Sequence, residues 1–300
     1  MKRAIFFIAI ITVLIAGVTL TGCRRVLITG EDGQLTTKEY SFTGFTVVDV
    51  GSAFKVTITP SEAYRVKITA GETIFKNIRV VQAGNTLRIG TEGFYFPLGE
   101  RTLLAEITMP ELLGLDLSGA SKGTARGFKT SRDFKADISG ASTLDAEMET
   151  GRFDMEVSGA SEIVARVKSA SAAIEQSGAS TLNLDMETGS FVHELSGASE
   201  ASGTLKASNI AIDVTGASEV RLTGSVGNLV LTGSGASEIN LAGFNIKDAD
   251  INLSGATHAA IDITGKLNVT LSGASELKYG GNPTLGERID ISGGSKLEKR

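Results

Sequence analysis

The chain has 300 residues, among them 36 glycines, 4 prolines, 2 histidines, 1 cysteine and no tryptophan, and its formal net charge is −5 at pH 7. That acidic balance argues against nucleic acid as a partner, and a lone cysteine rules out a disulfide framework. Much glycine with few aromatics means many turns and few aromatic platforms for a ligand.

Lys2 and Arg3 precede an apolar run from Ala4 to Leu20, which ends in Leu20-Thr21-Gly22-Cys23. A charged start, a short apolar stretch and small residues at its end read as an export signal over residues 1–22. Loss of Lys2 and Arg3 with it takes the net charge to about −7. Leu-Thr-Gly-Cys resembles the lipobox of bacterial lipoproteins. The resemblance implies lipidation of Cys23, a membrane anchor through an acyl chain such as palmitate, and, since Arg24-Arg25 rather than an acid follows, sorting to the outer membrane. A signal anchor is the alternative, because about 17 apolar residues approach a bilayer span. Residues 23–40 are polar without a sustained period and read as a tether.

Alternation begins at Ser41 with Phe45, Val47 and Asp49, then Gly51-Ser52-Ala53, a divergent corner, then Val56 and Ile58. Tyr64, Val66 and Ile68 suggest a further strand, and Gly84-Asn85 a turn between Val80-Val81 and Leu87-Ile89. Residues 41–115 are read as irregular β coils that cap the fold, because an open solenoid end is an exposed sheet edge.

From residue 116 to 300 the chain is repetitive. Ser-Gly-Ala-Ser or a close variant starts at Ser118, Ser139, Ser158, Ser177, Ser196, Thr215, Ser234, Ser254, Ser272 and Ser292, mostly 19 residues apart. Such a period predicts a solenoid, in which each coil buries its apolar side only against its neighbours. The residue before the corner is apolar in most coils, as in Leu117, Ile138 and Val157. So is the residue two positions earlier, as in Leu115, Ile174 and Ile212, with a polar residue between. This is strand alternation with one wet face. The expected fold is all-β, a single-stranded right-handed parallel β-helix of about ten 19-residue coils behind an irregular cap, with no helices. Gly151, Gly189, Gly227 and Gly265 mark a second corner and a 38-residue double period. Phe134, Phe153 and Phe191, each five residues before a corner, read as core.

The polar position between the inward residues holds Asp116, Asp137, Glu156, Glu175, Glu194 and Asp213 in six consecutive coils. Stacked about 5 Å apart, unit charges repel by roughly 0.9 kcal/mol even in bulk water. Two offsets stay open: divalent cations such as Ca²⁺ bridging the column or joining it to an anionic polymer, or lysines and salt screening a solvated face. Glu200, Glu219, Glu238 and Glu276 form a second, patchier column. Gln176 and His193 occupy inward positions in adjacent coils and read either as the remnant of a buried site or as two side chains that each bond a partner or a backbone carbonyl in a small cavity, while His258 reads as exposed; neither histidine has triad partners in the pattern.

FTVVDVGSAFKVTITP from Phe45, LLAEITMPELLGLDLSGAS from Leu103 and the train of SGAS corners resemble the putative auto-transporter adhesin head GIN domain family. The resemblance implies an exported bacterial β-helical protein and supplies no catalytic residues. The functional expectation is therefore an envelope-anchored, non-catalytic adhesive, binding or structural module. Its expected partners are the membrane through the lipid, a polysaccharide or lipopolysaccharide, another envelope surface, or a second copy in a homo-oligomer. The alternative is a polysaccharide-active enzyme on the same fold. It needs acids gathered at one cleft, whereas here they are spread evenly from coil to coil.

Overall fold

Period-two alternation dictates the architecture, because each apolar position points inward while its neighbours meet solvent. The computed structural model describes residues 34–92 and 101–300, where all but one short element are β-strands. Cys23 and the signal 1–22 lie outside the described residues.

Thr143–Val157, Glu162–Gln176, Thr181–Leu195, Glu200–Val214, Glu219–Gly233 and Glu238–Leu253 form the regular body of a parallel β-solenoid. Each pairs with the next in parallel, so Leu144, Ile163 and Leu182 share one file and Met155, Ile174 and His193 another. Every long strand bends at one such point: Gly151, Ala170, Gly189, Ser208, Gly227 and Lys247 drop out of the pairing. The buried parity switches at that bend, from Ile163, Ala165 and Val167 to Ala172, Ile174 and Gln176. A coil thus has two flat faces, a leading face after the serine corner and a trailing face before the next one. Phe134, Phe153 and Phe191 are core, and the first two stack with ring centres 5.6 Å apart.

The serine corner extends the ladder around the bend. Its glycine takes positive φ, 77° at Gly216, and accepts Ala236 N–H from the next coil at 2.8 Å. A Cβ on Gly216 would overlap the Gly197 carbonyl oxygen below. The fourth residue is buried, and its hydroxyl donates to the first residue's carbonyl at 2.8–3.0 Å in nine corners from Ser121 to Ser275. Irregular spacing becomes bulges: the 20- and 18-residue steps around Ser254 coincide with a register slip between Leu241 and Asn245, beside Gly243 at φ 91°.

At the amino-terminal end, Gly51-Ser52-Ala53 does turn a coil. Val47–Val50 and Lys55–Pro60 pair in parallel with Gly114–Leu117 and Lys122–Lys129. Between them the chain leaves the stack and builds the cap. Leu103–Met109 extends the leading sheet in parallel, Arg65–Gly71 and Leu35–Tyr40 add antiparallel, and the hairpin Ile78–Ala83 with Thr86–Thr91 closes the trailing sheet.

Three expectations are corrected. Leu35–Tyr40, read as tether, is the edge strand of the cap, with Glu39 ion-paired to Arg65. An edge strand faces water, so its polar residues leave no apolar period to read. The absence of helix is broken by Glu72–Phe75, one turn that buries Ile74 and Phe75 and is too short to show a helical period. Ile291, an inward position, is 46% exposed, and Leu285 in the same strand 52%, because among the described residues no coil lies over the last one.

Candidate functional site

The predicted carboxylates share one file on the trailing face. Asp116 pairs with Asp137 and Asp137 with Glu156, and Glu175, Glu194 and Asp213 follow in register. The file starts one coil earlier than expected, since Asp49 pairs with Asp116. Asp49 stands two residues before the Gly51 corner, as Asp116 does before Ser118, and that offset was the available signal. After Asp213 the file turns largely neutral with Thr232, Asn252 and Thr270.

Cations reach only the early part of this file. Arg88 lies 3.4 Å from Asp49 and Lys135 2.7 Å from Glu156. Among the described residues Asp137, Glu175, Glu194 and Asp213 make no ion pair. Burial, then the neighbouring charges of Asp49 and Asp137, push the Asp116 carboxyl above the usual carboxylate range.

Alongside run the first hydroxyls of successive corners, Ser158, Ser177, Ser196 and Thr215, and the two rows enclose a groove of about 310 Å³. Thr215 Oγ1 donates to Leu195 O at 3.2 Å, and Ser177 and Ser196 donate to the coil below at 3.5 Å. With their hydrogens turned inward, these hydroxyls offer lone pairs outward. Among the described residues no Lys, Arg or His lines the groove. A row of acceptors at about 4.8 Å spacing suits a donor-rich chain, one group per coil. Among the described residues no three His, Cys, Asp or Glu side chains converge to hold a metal ion. The acids form a file, not a cage.

The two inward polar residues meet each other. His193 Nε2 lies 3.2 Å from Gln176 Oε1, and Gln176 Nε2 donates to Ser180 O and Glu200 O, both at 2.9 Å. Among the described residues His193 Nδ1 has no partner, so the ring donates through Nε2. Burial lowers its pKa to about 3, which keeps it neutral. Gln176 thus ties two backbone carbonyls together, one of which, Ser180 O, also accepts Glu200 N–H at 2.9 Å, a structural task. His258 is exposed and falls between Glu238 and Glu276 in the second acidic file, 3.9 Å from Glu276.

The family model described as "Putative auto-transporter adhesin, head GIN domain" matches residues 44–186 and 165–283. Solved structures share the fold at low identity. A putative adhesin from Parabacteroides merdae ATCC 43184 is 17% identical at a TM-score of 0.52, over 89% of this chain and 97% of its own. A putative adhesin from Bacteroides fragilis NCTC 9343 is 15% identical at 0.55, over 75% and 96%. A putative lipid binding protein from Parabacteroides distasonis ATCC 8503 is 17% identical at 0.51, over 89% and 97%. No curated protein matches the chain.

Proposed function

The chain belongs to the family of putative auto-transporter adhesins with a head GIN domain, and from that membership and the trailing-face groove we propose a non-catalytic adhesive module for a polyhydroxylated polymer. The carrying observation is repetition: Glu156, Glu175, Glu194 and Asp213 present carboxylates in register beside corner hydroxyls. Each coil contributes one weak contact, and a polymer that engages several coils gains affinity through effective concentration. The pitch of one coil is close to the length of one sugar unit, which makes a glycan the fitting ligand. In this reading Cys23 carries the lipid that holds the module at the outer membrane, and divalent cations act as bridges from the file to an anionic glycan.

A glycan array probed with the purified chain, in Ca²⁺ and in EDTA, tests the reading. Expected is retention on a defined class of polymeric glycans, lost in the triple variant Glu175→Gln, Glu194→Gln, Asp213→Asn while its melting temperature is held or raised. Retention that ignores the triple variant, or binding to no glycan, would overturn it. Equal signals in Ca²⁺ and EDTA would remove the cation bridge alone.

A further inference from the structure

The leading face carries a different charge order. At the same two positions along successive strands stand Arg126 and Lys129, then Glu147 and Glu149, Arg166 and Lys168, Asp185 and Glu187, and Thr204 and Lys206, each row in register with the next. The sign reverses from coil to coil, so the face is banded, with a full period of two coils or about 10 Å. The two files wall a trough of about 490 Å³ over Met148, Val167 and Met186. The banding has a role within the chain, since Lys129 lies 2.7 Å from Glu149, Lys206 3.4 Å from Glu187 and Arg166 3.2 Å from Asp145. These side chains are nevertheless largely exposed, and exposed pairs hold their partners weakly.

A uniformly charged polymer laid along this trough meets as much repulsion as attraction. A fitting partner must reverse sign at the same pitch of one coil, and the surface that does so is this face itself. We propose that two copies of the chain associate through their leading faces, antiparallel and offset by one coil. A two-fold axis along the strand direction, between the second and third rows, sets Glu147 over Arg166 and Glu149 over Lys168. It also sets Arg126 over Asp185 and Lys129 over Glu187, and each contact recurs reciprocally, as an isologous interface requires. Four rows then meet opposite charge at every position. The trailing faces stay outside, so the pair presents two acidic grooves.

Sedimentation equilibrium of the full chain in density-matched non-ionic detergent tests this. The wild type is expected to be dimeric at 50 mM NaCl, with its dissociation constant raised about tenfold or more at 500 mM, because a shorter Debye length screens exposed pairs. Arg166→Glu with Lys168→Glu sets acid against acid across the axis, and Glu147→Lys with Glu149→Lys sets base against base. Each variant alone is expected to be monomeric, and an equimolar mixture to recover the dimer. The milder Arg166→Gln with Lys168→Gln weakens association without adding like charge, and a thermal melt of every variant reports folding. A wild type that is monomeric at low salt, a dimer indifferent to salt, or folded reversal variants that fail to recover on mixing would overturn the proposal.

Discussion

Asp116 and His193 show how one residue tunes a repetitive fold in opposite directions with pH. The Asp116 carboxyl is raised, so the folded chain keeps that proton to higher pH than the unfolded chain. Its contribution is present at low pH and is lost as pH rises through the folded value. Asp116→Asn removes the like charge facing Asp49 and Asp137 and should stabilise the protein at pH 7 by about 0.5–1 kcal/mol, a rise of about 1–4 °C in Tm. A lower Tm would show that Asp116 has a partner that offsets its burial. His193 works the other way. Its pKa is lowered to about 3, so the unfolded chain binds the extra proton below its ordinary value of about 6.5. Stability is full above that value and falls with acid, by up to about 1.4 kcal/mol per pH unit. His193→Leu combined with Gln176→Leu removes both polar partners and should flatten the loss between pH 6.5 and 5 in urea titrations. An unchanged slope would assign the acid sensitivity to other groups.

At the scale of the element, the corner divides its work among four positions. Gly216 needs positive φ and bare space over the Gly197 carbonyl of the coil below, whereas Ser218 supplies one hydroxyl bond to Thr215 O at 2.9 Å. Gly216→Ala should therefore cost roughly 2–4 kcal/mol and Ser218→Ala about 1 kcal/mol, and equal costs in chemical denaturation would contradict this division. Ser52 marks the boundary of the rule. It occupies the glycine slot at φ 64°, above the cap rather than above another corner, and its hydroxyl accepts Thr91 N–H at 3.1 Å. The same logic explains what was legible. Corners, inward files and the acidic column repeat at fixed offsets, so alignment on serines reveals them. The cap does not repeat, because Leu35–Tyr40, Arg65–Gly71 and the hairpin pair antiparallel with local partners. Asp49 was hidden by the excursion between residues 60 and 114. The banded rows do not stand out in an alignment on the serines, because Glu149, Lys168 and Glu187 share one slot but alternate in sign.

Across the whole molecule, stability is a sum of neighbour terms between coils, and the two ends differ. One end is closed by antiparallel strands and the Glu72–Phe75 turn, whereas Leu285 and Ile291 in the last described coil remain half exposed. Hydrogen exchange should therefore find the greatest protection in the strands from Thr143 to Leu253 and the least across Thr284–Lys299; uniform protection would mean that the stack opens only as a unit. The binding proposal likewise belongs to the stack, since no single coil offers more than a carboxylate and a hydroxyl. Its most direct test is the affinity of the purified chain for a length series of the glycan it binds best. The affinity should climb with each added sugar until the ligand spans the acidic file, about 30 Å. An affinity already complete with a mono- or disaccharide would contradict a repetitive surface and point to one discrete pocket.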